Sequence, residues 1–135
     1  IKCKLNYMKI ETPISVGELL DKISILEIKS EKVKDNNKLV NINLELTILR
    51  SVADQSLGDY ENLEKRISEL KLINSELWDI EDKIRIEEKN KNFDDDFIFL
   101  ARSVYITNDK RFDVKNKINN EFGSIIKEEK SYQKY

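Results

Sequence analysis

The chain has no histidine, one cysteine, one proline and three glycines among its 135 residues. Without histidine there is no Ser-His or Cys-His catalytic pair and no zinc site of the usual Cys/His kind. Cys3 alone allows no internal disulfide, which suits a reducing compartment. So little proline and glycine argues against a protein of strands and turns. No apolar run approaches the roughly 18–20 residues that cross a bilayer, and the N-terminus does not read as a signal peptide. Nor is there an excess of basic charge. Lys and Arg number 24 against 26 Asp and Glu, and the two signs are interspersed. A nucleic-acid footprint, which wants a basic face, is not expected. The expected setting is the cytoplasm. Met8 reads as the natural start, with residues 1–7 as read-through ahead of it.

Charge and periodic hydrophobicity are abundant. Charged residues make up 37% of the chain and apolar residues 39%, the composition of long amphipathic helices. The richness in Lys, Asn and Ile fits an AT-rich coding sequence. A length of 135 residues suits one helical domain with a modest core.

Four helices can be read from the spacing. Ser15 followed by Glu18 has the form of a capping box, flanked by Ile14 and Leu19 at staple positions. Leu19, Ile23, Leu26 and Val33 then run down one face, which places helix 1 at about residues 16–34. Helix 2, at about 38–56, carries Leu39, Ile42, Leu46, Leu49 and Ala53. Gly58 is its stop signal, and Asp59 a cap for the next helix. Helix 3, at about 60–89, has the seam Tyr60, Leu63, Ile67, Leu70, Asn74, Leu77, Glu81, Ile84. Asp94, with Asp95 and Asp96 in the positive first turn, opens helix 4 at about 95–121, and Phe93 with Ile98 forms a second staple. Gly123 closes it.

The expected architecture is therefore all-α: about four antiparallel helices forming a bundle or two helical hairpins, with helices 3 and 4 the longest. Residues 1–14 read as an N-terminal arm, with weak strand alternation at 4–11. Residues 15–123 are the helical domain and 124–135 a C-terminal tail. Helix 3 would be about 45 Å long and helix 1 about two thirds of that. Part of helices 3 and 4 would then lie uncovered, so a homodimer is expected.

One stripe raises a functional question. In "FIFLARSVYITNDKR", residues 97–111, the apolar positions Phe97, Ala101 and Val104 continue into Asn108 and Arg111. A buried guanidinium must be solvated or paired. Its candidate partners are Glu81 and Asn74 on helix 3 and Glu27 on helix 1, with Arg102 and Tyr105 flanking the stripe. Folding helices 3 and 4 about the loop at 89–92 places Glu81 near Arg102 and Asn74 near Asn108, with Arg111 a turn beyond, near Leu70 and Ile67. Two readings stay open. These residues are buried polar groups that fix register and oligomeric state. Alternatively, Glu27, Asn74, Glu81, Arg102, Tyr105, Asn108 and Arg111 line a site for a small anionic ligand.

Glu61/Glu64, Glu76/Asp79 and Asp79/Asp82 have the i,i+3 spacing that suits Mg²⁺ carboxylates. In so acidic a chain such pairs arise by chance on outward faces, so no metal and no cofactor is expected. Trp78 reads as a core or interface anchor.

The blocks "ISVGELLDKISILEIKSEKV", "INSELWDIEDKIR", "FDDDFIFLARSVYITNDKR" and "GSIIKEEKSY" together span about Thr12 to Tyr132. In order and spacing they resemble a family of small uncharacterised bacterial proteins, known as a domain of unknown function. The resemblance implies no activity, but it does imply that the tail belongs to the folded protein. The functional expectation is a helical binding or interaction module. The alternative is an enzyme or sensor holding a small anionic ligand at the Glu/Arg/Asn cluster.

Overall fold

The computed structural model describes residues 7–58 and 61–135. It is all-helical, with α1 at Val16–Lys32, α2 at Asn36–Leu57, α3 at Leu63–Lys89 and α4 at Asp95–Glu121. The last two are indeed the longest, at 27 residues each.

Local chemistry sets the ends. Asp35 accepts hydrogen bonds from the N–H groups of Asn37 and Lys38, so α2 begins two residues earlier than its apolar spacing suggests. Asp94 does the same for Asp96 and Phe97 at the start of α4. Phe93 packs edge-on against Phe97, with ring centroids 5.2 Å apart. At the other end of α4, Gly123 adopts φ 67°, and the Ser124 N–H bonds the Asn119 carbonyl at 2.8 Å. That is a Schellman closure, in which the left-handed residue costs glycine little. The capping box at α1 is only half made. Ser15 accepts from the Glu18 N–H at 3.1 Å, but the Glu18 carboxylate turns to Lys115 instead of back to Ser15. A full charge on a neighbouring helix wins over a neutral N–H. Asp59 and Tyr60 lie outside the described residues. The first helical residue of α3 is Leu63, three residues later than the seam pattern suggests.

α1 is the hub. It packs against α2, α3 and α4, whereas among the described residues α2 packs its backbone on α1 alone. Asn62 meets Glu121 and Asn74 meets Arg111, so α3 and α4 run antiparallel. The three-residue connection 33–35 turns α2 back along α1, and α1 lies between α2 and the α3/α4 pair. The core gathers Leu19, Leu20 and Ile23 of α1, Ala53 of α2, Leu63, Ile67 and Leu70 of α3, and Ile118 of α4. Gly17 makes the α1–α4 approach possible, because a Cβ there would lie 2.6 Å from the Lys115 carbonyl oxygen. From Trp78 to Ile106, across the far end of the α3/α4 hairpin, no residue is buried.

Residues 7–15 form no strand, and the tail 124–135 has no regular structure. The tail nevertheless folds back along α4. Glu128 reaches Lys115 at 2.7 Å, Lys130 lies 3.8 Å from Asp109 and 5.0 Å above the Phe112 ring, and the Tyr135 hydroxyl bonds Asp109.

Candidate functional site

Where α1, α3 and α4 meet, the apolar core gives way to a run of polar side chains. Its anchor is Lys115, which is 5% exposed. The Lys115 ammonium meets Glu18 at 2.8 Å, Glu128 at 2.7 Å and Asp21 at 3.9 Å. Burial by itself would push this lysine toward neutrality. The carboxylates of Glu128, Glu18 and Asp21 overcome that, and its pKa stands above the ordinary value. For Glu18, burial pulls upward, but the hydrogen bond and charge of Lys115, with Lys22 and Arg111 behind it, hold the carboxyl below its usual range. Beside this cluster the fully buried Asn119 accepts the Gly17 N–H at 2.7 Å.

A second link runs from Asp21 to α4. Asn74 donates to the Asp21 carboxylate at 2.8 Å and lies 2.9 Å from the Ser24 hydroxyl. Its carbonyl oxygen accepts from Arg111 at 3.3 Å. Arg111 therefore leans on a neutral amide, and among the described residues no carboxylate lies within ion-pair distance of it. Its guanidinium opens onto a groove of about 290 Å³. Ile25, Ile28 and Leu77 supply the apolar lining of that groove and Trp78 an aromatic one. Glu81 and Asp82 add two carboxylates, one turn further along α3 than Leu77 and Trp78.

The seven residues singled out from the sequence do not gather into one site. Asn74, Glu81 and Arg111 share the groove. Glu27 joins a different cluster, pairing with Arg50 and, at 3.7 Å, with Lys71. Arg102 is exposed and forms no ion pair, and Asn108 is half-buried with no side-chain hydrogen bond, both among the described residues. Tyr105 is exposed and stacks edge-on against Tyr135 at 5.1 Å.

The expected pairings are therefore corrected. Glu81 pairs with Arg85 on its own helix at 3.3 Å, not with Arg102. Asn74 meets Arg111, not Asn108. Helical side chains tilt toward their own N-terminus, and arginine is long, so its head covers the turn before its Cα. Counting Cα positions from the loop misses that reach. Leu70 and Ile67, the expected neighbours of Arg111, belong to the fully buried core.

Asp21, Ser24, Lys115, Asn119 and Glu128 do not stand out from the sequence as site residues, and Glu18 reads there only as a capping residue. A signal was present for several of them. Asp21 and Ser24 continue the inward stripe from Gly17 at steps of four and three. Lys115 likewise sits four after Arg111 and three before Ile118. As for metals, no group of three or more acids or other ligands stands close enough to hold an ion among the described residues. Glu61, Glu64, Glu76, Asp79 and Asp82 are all exposed.

A family model described as "Family of unknown function (DUF6165)" matches residues 8–135. The chain belongs to that family. No curated protein and no solved structure matches it. The match takes in the tail together with the helices. No helix among the described residues is long and apolar enough to cross a membrane.

Proposed function

We propose that the chain is a helical interaction module of the cytoplasm that works as a homodimer, joined through the far end of the α3/α4 hairpin. The supporting observation is the lack of any buried residue over 78–106, although this stretch carries Ile80, Ile84, Phe97, Leu100, Ala101 and Val104 on its inner stripe. Ile98 and Phe99 are 52% and 70% exposed. An apolar area of this kind marks an association surface. A second copy suits it, because the tip offers both signs of charge: exposed Lys89 and Lys91 beside the exposed acids at 94–96. A two-fold pairing can set one against the other. Light scattering during size-exclusion chromatography should give twice the 15.9 kDa chain mass at micromolar protein. Replacing Ile98 and Phe99 by Ser should return the chain mass. A wild-type monomer under these conditions overturns the dimer.

A second reading rests on Arg111. A guanidinium held by one amide at 3.3 Å keeps most of its donors free for an oxyanion in the groove. The module would then bind a small anionic ligand, as a sensor or an enzyme does. Trp78, the only tryptophan, lines the same groove and reports on it. Inorganic phosphate should alter its fluorescence saturably. Arg111→Ala should remove the response while leaving the melting temperature nearly unchanged or raised. A marked loss of stability with no phosphate response in the wild type would assign Arg111 to structure instead.

A further inference from the structure

The geometry points to a dipolar ligand for this groove: an elongated zwitterion of about tripeptide length, its carboxylate on Arg111 and its ammonium at Glu81 and Asp82. The inference rests on the reading of Arg111 as an anion anchor and adds the other end of the ligand.

The groove is polar at its two ends and apolar between. Arg111 and Asn74 mark one end. Leu77 and Trp78 of α3, faced by Ile25 and Ile28 of α1, form the middle. Glu81 and Asp82 stand seven and eight residues beyond Asn74 on the same helix, so they share its stripe about 10–12 Å away along the axis. Three extended residues of peptide span about 10 Å. A simple anion would use Arg111 alone and leave the two carboxylates without a partner. A simple cation would use Glu81 and Asp82 and leave the guanidinium idle. Only a ligand with opposite charges at its ends satisfies both at once. Its body would lie on the Trp78 ring and the aliphatic wall, which favours an apolar or aromatic central residue. The acids are free to receive an ammonium. Asp82 has no ion pair among the described residues, and Glu81 is engaged only by the well-exposed Arg85 on its own helix at 3.3 Å.

The probe is a set of tripeptides Ala-X-Ala, with X as Leu, Phe or Tyr, titrated into the full chain with Trp78 fluorescence as readout. Tyrosine and phenylalanine are excited little at the red edge of tryptophan absorption, so the signal stays with Trp78. Each peptide is compared with its N-acetylated form, its C-amidated form and the doubly blocked form. Saturable binding is expected for at least one free peptide, with about a tenfold loss on blocking either end. Glu81→Gln combined with Asp82→Asn should abolish the penalty for acetylation but not that for amidation. Arg111→Gln should do the reverse. Both sets of changes lie on partly or fully exposed positions, and circular dichroism verifies that the helices persist.

Three results overturn the inference. In the first, doubly blocked peptides bind as tightly as free ones. In the second, the acid variants leave the acetylation penalty intact. In the third, no free peptide of the set gives a response. Inorganic phosphate separates the layers: an Arg111-dependent phosphate response without a peptide response keeps the anion anchor and removes the zwitterion. Loss of both removes the groove as a ligand site.

Discussion

The two ends of the α3/α4 hairpin are built on the same repeat and have opposite fates. Near its base, Ile67, Leu70 and Ile118 are fully buried under α1. Toward its tip, Ile84, Leu100 and Val104 occupy equivalent stripe positions and remain half-exposed. The difference is not in the hairpin but in what lies on it. α1 is 17 residues long and each hairpin helix 27, so α1 runs out before they do. An amphipathic stripe states that a face wants cover, and the length of the neighbouring helix decides how much of it gets cover. The base also carries an ionic clasp that the tip lacks, with the tail carboxylate of Glu128 and the α1 carboxylates of Glu18 and Asp21 closing on Lys115.

This contrast sets the expected order of mutational effects. The largest belongs to Lys115→Ala, which leaves three carboxylates without their cation in a site where the lysine is 5% exposed. A loss of about 3 kcal/mol in urea unfolding is expected, the low end for broken buried ion pairs, because the Glu18 and Glu128 carboxylates stay 37% and 38% exposed. An effect below 1 kcal/mol would mean that the clasp is hydrated and that base and tip differ less than described.

Gly17→Ala comes next. The added methyl would lie 2.6 Å from the Lys115 carbonyl oxygen and 3.0 Å from Asn119 Oδ1, and the first of these is backbone that cannot swing aside. Parting α1 from α4 should cost about 1–3 kcal/mol, read as a lowered urea midpoint.

Smaller still is the pH dependence carried by the clasp. The Glu18 carboxyl is held below its ordinary 4.5 in the folded protein, so its contribution is full above that value and fades as pH falls through the folded one. Lys115 is held above its ordinary 10.5, so its contribution is full below that value and fades as pH rises past it. Stability from this pair should be flat between the two limits. Glu18→Gln should make the acid limb shallower, a change visible in thermal melts taken between pH 5 and pH 3.

At the tip, Phe99→Ser should change the unfolding free energy of dilute monomer by no more than about 0.5 kcal/mol, because its ring is 70% exposed. In a sample concentrated enough to associate, the same substitution should lower the melting temperature, since a partner's binding energy adds to stability. A large loss in the dilute monomer would place Phe99 in a core, and the base-to-tip contrast would fall.

Much of the fold was legible because helix signals are local. Ser15, Asp94, Gly58 and Gly123 mark ends, and the three-four spacing marks faces, all within a few residues of each other. The candidate site was only partly legible. Asn74, Glu81 and Arg111 stood out because they interrupt apolar seams on the two longest helices, and they do share one groove. Glu27 interrupts a seam as well, yet it faces Arg50 and Lys71 on another side of α1. Asp21 and Lys115 follow the same pattern, and their partners come from other helices and the tail, beyond the reach of local spacing.

Four helical segments and the end signals at Ser15, Asp94, Gly58 and Gly123 are properties of neighbouring residues, and sequence alone determined them. Which polar groups meet was decided only by tertiary structure. That outcome depends on how far each side chain reaches and on how α1 crosses the hairpin. Arg111 bends back to Asn74, Glu18 abandons its own helix cap for Lys115, and Glu128 arrives from the tail. Such pairings link residues up to about a hundred positions apart, as Glu18 and Lys115 are. No local rule carries information over that separation.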